Sequence, residues 1–191
     1  MRAVLNAVAG ALGSDPDWRS RFDTTQRGLR ASFGVAALTL PAYAVIARSV
    51  EVARVELFGE AAPGVAWLPF ALVTALVTLA FPFVAFVMGT IFQRVERYPA
   101  WVVVRHWTVF LIAWGVAALF ALHLLGALPY SVPNFVLFVA MFGVLAADIR
   151  LAVRAGGFSL GTAVLIGSLI MSLSLSLMFV GLVLYLGTGP S

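Results

Sequence analysis

The sequence predicts an all-α integral membrane protein: five transmembrane helices preceded by an N-terminal amphipathic interfacial segment. Three observations predict this. Apolar residues make up 62% of the 191 positions and charged ones only 10%, against about 45–50% and about 25% in soluble domains. Four stretches, 31–47, 61–93, 106–147 and 155–191, carry no acid, lysine or arginine. The arginines cluster in alternate connections between those stretches. A soluble enzyme or a disordered regulator of this size would need more polar surface than the chain has. A nucleic-acid binder is excluded on the same ground, despite the net charge of +4.

A helix crosses a ~30 Å hydrocarbon core in about 20 residues. The stretch 31–47 is one span, lengthened by snorkelling of Arg30 and Arg48. The stretch 61–93 holds one span and a loop. As a single helix, 106–147 would run about 63 Å, so it must fold back. The breaker-rich segment from Gly126 to Asn134, with Pro129 and Pro133, supplies the turn. The last stretch adds one more span. The expected spans are 31–49, 66–92, 103–125, 132–148 and 158–187. The chain then divides into a cytoplasmic or interfacial segment, 1–30, and a membrane domain, 31–191. These runs lack the strict alternation of barrel strands.

Sidedness follows from arginine. Arg2, Arg19, Arg21, Arg27 and Arg30 precede the first span, Arg94, Arg97 and Arg105 lie around the second-to-third connection, and Arg150 and Arg154 lie near the fourth-to-fifth. The opposite side has Arg48 and Arg54, offset by Glu51, Glu56 and Glu60. The N-terminus is expected in the cytoplasm and the C-terminus in the periplasm of a bacterial inner membrane. The absence of lysine is read as the composition of a GC-rich bacterium. Tyr98, Trp101 and Trp107 fall at the inner interface, and Trp67, Tyr130 and Tyr185 at the outer one, as aromatic belts require.

In the first segment, Met1, Val4, Leu5, Val8 and Leu12 share a helical face. This favours an amphipathic helix on the membrane surface over a cleaved signal peptide, whose apolar core Asn6 and the run Gly13-Ser14-Asp15-Pro16 would interrupt. Asp15 and Pro16 read as the cap and first residue of a short helix. That helix would place Trp18 and Phe22 among headgroups, with Arg19 and Arg21 on lipid phosphate. Asp23-Thr24-Thr25-Gln26 resembles a capping box opening the first membrane helix. The segment anchors the chain or docks a cytoplasmic partner.

No metal, nucleotide or nucleophile motif is present, there is no cysteine, and no cofactor is expected. His106 and His123 are 17 residues apart on one helix, about 25 Å along its axis, too far to share a metal. Ionisable groups near membrane depth are the functional candidates. Arg105, His106, Asp148 and Arg150 form a candidate polar membrane site facing the cytoplasm. The plainer reading has Arg105 snorkelling and Asp148 paired with a nearby arginine. Asn134 is expected to cap the fourth span. Pro41 and Pro82 are expected to kink the first and second.

Small residues let helices approach in lipid. Ala113, Ala117 and Ala121 line the third span, and Gly143 and Ala147 the fourth. On the fifth, Ser168, Ser172 and Ser176 form a ladder, while Gly167, Ser174 and Gly181 recur every seven residues. Small residues on two faces suggest that the fifth span is central or touches both its own bundle and another subunit.

The segment from Phe22 through Asp23, Thr24, Thr25 and Gln26 to Phe33, leading into Leu40-Pro41-Ala42-Tyr43, resembles bacterial relatives of the Ypt-interacting (Yip) class. So does the layout of five spans behind a modest cytosolic segment. The resemblance implies a non-enzymatic membrane-organising or partner-binding role. Expected partners are membrane lipids and other membrane subunits or a second copy. The alternatives are a small transporter or channel, using Pro41, Pro82 and the serine ladder, and a lipid-acting enzyme using the polar site.

Overall fold

The computed structural model describes residues 2–59 and 67–187, without the side chains at 58 and 182–187. Met1, Glu60 and the Tyr185 side chain, to which the sequence assigned places, lie outside the described residues. Every regular element described is helical. In order they are α1 (Arg2–Leu12), α2 (Gln26–Ala37), α3 (Leu40–Phe58), α4 (Trp67–Ile91), α5 (Tyr98–Leu124), α6 (Ser131–Arg154) and α7 (Leu160–Gly187). Short 3₁₀ turns occupy Trp18–Arg21 and Val95–Arg97. Five segments are long and apolar enough to cross a membrane, with α2 and α3 together forming the first. Large side chains such as Leu68, Phe83, Phe135, Leu165 and Phe179 are exposed around the bundle. Such a girdle would be an aggregation liability in water and is an ordinary surface in lipid.

The first span is a broken helix. Thr25 caps α2 by accepting the Gly28 N–H (3.4 Å), while Asp23 accepts from the Thr25 N–H (3.0 Å). The cap is therefore Thr25, with Asp23 buttressing it. The chain breaks at Leu38 and Thr39, and the freed Leu38 carbonyl accepts from Trp114 Nε1 at 3.0 Å. Pro41 thus stands in the first turn of α3 rather than kinking a continuous helix. There its missing N–H costs nothing, because first-turn N–H groups have no intrahelical acceptor. Pro82 does lie inside α4, where it removes the bond to the Thr78 carbonyl.

The centre of the bundle is α5, which touches α1, α2, α3, α4 and α6, whereas α7 packs on α4 and α6. The large buried side chains Phe81, Trp101 and Phe120 fill the space around it. Ala113 and Ala117 meet Ala42 of α3, so the alanine stripe serves close approach of α3 to α5. Ala121 is half-buried, Ala147 is buried, and Gly143 faces open space. On α7, a Cβ at Gly167 would lie 2.7 Å from Ile149 of α6, and one at Gly181 would lie 2.5 Å from Val73 of α4. The seven-residue repeat therefore faces inward, with Ser174 half-buried. Ser168, Ser172 and Ser176 are exposed on α7.

The head, α1 and the following turn, sits on the bundle. Ala7, Val8 and Ala11 are buried, and Leu5 is exposed. Of the face expected from the sequence, Val8 is buried and Leu12 packs partly buried against the core, with Ala7 and Ala11 completing the contact of α1 with α5 and α6. Arg150 donates to the carbonyls of Leu12 (3.0 Å) and Gly13 (2.9 Å), and Arg154 donates to those of Gly13 and Asp15. These are the bare carbonyls at a helix C-terminus, where cations are favoured. Trp18 is buried in the main core rather than immersed among headgroups. Arg19 lies over its ring and donates to the Ala155 carbonyl, and Arg21 pairs with Asp15. Asp15 accepts the Asp17 N–H (2.9 Å), and no side chain caps the 3₁₀ turn. The head and the end of α6, with Arg19, Arg21, Arg150 and Arg154, thus meet at one end of the bundle.

Replacing Gly167 by leucine should destabilise the bundle by about 1–3 kcal/mol through overpacking. Ser168→Leu, on the exposed face, should stay within about 0.5 kcal/mol of the parent. Thermal unfolding in mild detergent measures both.

Candidate functional site

The four polar residues singled out by the sequence separate into three environments. Arg105 lies about 10 Å into α5 from its start, and Asp148 about 9 Å from the end of α6, so antiparallel packing brings them level. Arg105 Nε donates to Asp148 Oδ1 (3.0 Å) and Nη2 to Oδ2 (3.3 Å), a two-pronged pair in which both side chains are buried. The guanidinium also rests 4.3 Å above the ring of Phe81, next to Pro82. One ion pair therefore ties α4, α5 and α6 together. A fork-to-fork geometry satisfies both carboxylate oxygens, which is what makes a buried charge tolerable.

His106 takes no part in this pair. Ser32 Oγ donates to the Leu29 carbonyl (2.7 Å), so the 2.9 Å contact between Ser32 Oγ and His106 Nδ1 has Nδ1–H as donor. Among the described residues, the buried His106 Nε2 meets no hydrogen-bond partner. The ring stands edge-on to Phe33 at 5.1 Å. Arg150 is committed to α1. The sequence reading missed Ser32 and Phe81. Ser32 was visible as one of few polar residues in an apolar run, whereas Phe81 carries no signal beyond lying beside Pro82.

At the other end of α5, His123 Nδ1 donates to the Leu128 carbonyl (3.1 Å), which closes the α5–α6 turn. Asn134 lies within the first turn of α6 and accepts from the Tyr130 hydroxyl at 3.5 Å. It does not cap that helix, because the helix begins three residues earlier. Arg48 and the buried Glu51 pair at 3.2 Å.

An open cleft of about 330 Å³ lies between α1, α2 and α5. Val4, Ala7, Val35 and Trp107 give it apolar walls, and Arg21 and Asp23 are its charged lining. Hydrogen bonds from the Thr25 hydroxyl and then the Thr25 N–H hold the Asp23 carboxyl below its ordinary value of 3.8, against a smaller opposing effect of burial. Among the described residues, no group of three His, Asp or Glu side chains converges as a metal site.

These features define a multi-pass, all-α membrane protein with a buried ion pair in its interior and an open cleft beneath its head. The chain matches no protein-family model, and neither curated proteins nor solved structures give a significant match.

Replacing Arg105 by Met or Asp148 by Leu alone should each cost about 3–5 kcal/mol, because the remaining charge is left buried and unpaired. The double variant should recover most of that loss. Thermal unfolding across the four proteins checks this. The contribution of Asp23 has a definite sign. Its carboxyl is depressed in the folded chain, so its stabilisation is present above the unfolded value of 3.8 and lost as pH falls through the lower folded value. Proteolysis of the head should quicken over that acid range, and Asp23→Asn should flatten that response.

Proposed function

We propose that this chain is a non-enzymatic scaffold or accessory subunit of a bacterial inner membrane, with the N-terminus cytoplasmic and the C-terminus periplasmic. The observation that carries the proposal is the division of small residues on α7. Gly167 and Gly181 serve contacts with α6 and α4. Ser168, Ser172 and Ser176 face outward, and Gly161 opens onto empty space. In lipid, helix association depends on close approach and hydrogen bonding, not on the burial of apolar surface. An outward ladder of hydroxyls is therefore suited to a helix of another subunit. The same placement weighs against transport along these serines. A non-enzymatic organising role is also what the resemblance to the Yip class implies.

The chain contains no cysteine, so an introduced one is its sole thiol. Ser172→Cys in native membranes should crosslink to a second copy or another membrane protein, while Leu79→Cys on the exposed face of α4 should not. Equal yields from both, or none from Ser168→Cys and Ser172→Cys, would remove the proposal. A reporter fused after Ser191 should be active only in the periplasm.

A further inference from the structure

At the arginine-rich end, the α4–α5 connection faces the α6–α7 connection. Phe158 is buried against Trp101 (5.3 Å) and Phe92 (5.4 Å), which fixes the second connection in place. Gly157, immediately before it, is left-handed at φ 73°. A Cβ there would lie 2.7 Å from Arg94 Nη1 and would collide with Arg97 Nη1 and Cζ. Both guanidiniums therefore close over the same bare Cα. Gln93, just before Arg94, is also left-handed (φ 55°), an unusual conformation for a residue with a side chain.

Two cations this close repel each other unless an anion lies between them. Among the described residues, no acid or hydrogen-bond acceptor meets the Arg94 guanidinium, which lies over Gly157 and 5.8 Å from the centre of the Phe158 ring. Arg97 has only Glu96, itself exposed, at 3.6 Å from Nε. Helix α7 starts three residues after Gly157, and its positive end adds to the same field. Ser159 accepts the Thr162 N–H, which leaves the amides of Leu160 and Gly161 without an intrahelical acceptor.

We propose that Arg94 and Arg97, converging over Gly157, bind the phosphate of an anionic phospholipid headgroup. The surroundings select lipid over free phosphate. Ile91, Phe92, Val95 and Leu160 flank the pair and are exposed by 63%, 45%, 44% and 67%. Acyl chains would cover those side chains, whereas inorganic phosphate gains nothing from them. Basic sites at helix ends are suited to such headgroups. The site requires a membrane-embedded bundle but not the scaffold role.

The test uses the full chain in mild detergent and native mass spectrometry. It is titrated with phosphatidylglycerol, with phosphatidylcholine of the same chains, and with inorganic phosphate as competitor. Arg94→Gln/Arg97→Gln should lower bound phosphatidylglycerol roughly tenfold or more, since each basic residue at a membrane surface contributes appreciably. Arg30→Gln, which removes an exposed charge from α2, should leave binding unchanged. Arg94→Lys/Arg97→Lys should retain part of it. Undiminished binding by the glutamine variant would overturn the proposal, as would phosphatidylcholine bound as tightly as phosphatidylglycerol. Displacement of the lipid by millimolar phosphate would overturn the lipid assignment. Crosslinking through Ser172→Cys should be unaffected by these variants, so the two readings fail separately.

Discussion

The bundle is organised around a guanidinium and a carboxylate that cannot be left apart in lipid. Once Arg105 of α5 and Asp148 of α6 are within an apolar interior, only one sliding register lets their forks meet. A shift of one residue moves a side chain about 1.5 Å along and a large angle around its helix. Apolar contacts between Leu, Val and Phe tolerate such shifts, because the lipid alternative is equally apolar. The pair does not, and it brings Phe81 of α4 into the same register. Its contribution is specificity of assembly more than net stability, as for other buried ion pairs that fix alignment.

Around that fixed point, size governs the packing. Where α3 meets α5, alanines sit at the buried centre of the contact, and where α7 meets α6 and α4, glycines make room for Ile149 and Val73. Bulk is reserved for the space between several helices, where Trp101 meets Phe81 edge-on and Phe158 at a tilt. The exterior carries the leucines and phenylalanines that a soluble protein would bury.

Much of this was legible in the sequence, because crossing a membrane imposes a length and a composition on each helix. The five spans, read from four charge-free stretches, and the turn after Gly126 follow from that alone. The pairing of Asp148 was legible only as a rule that buried acids need cations. Choosing Arg105 over Arg150 needed the helix packing, since both arginines are near in sequence or depth. Pro41 was misplaced because a proline within a long apolar run reads as a kink, and nothing local shows that the chain has already broken at Leu38. The centrality of α5 was hidden because α7 has the more conspicuous small residues. The site at Gly157 was beyond reach, since it joins two connections about sixty residues apart.

The hold of Arg150 and Arg154 on the end of α1 has a consequence for the order of biosynthesis. The head is made before the arginines that donate to its carbonyls, which lie 137 to 141 residues later in the chain. While the first four spans enter the bilayer, those carbonyls have only water and headgroups to satisfy them. Docking of the head is therefore a late event, possible only after the ribosome has passed the fourth crossing. The clasp then ties the head to the end of the fourth crossing, like a buckle fastened late.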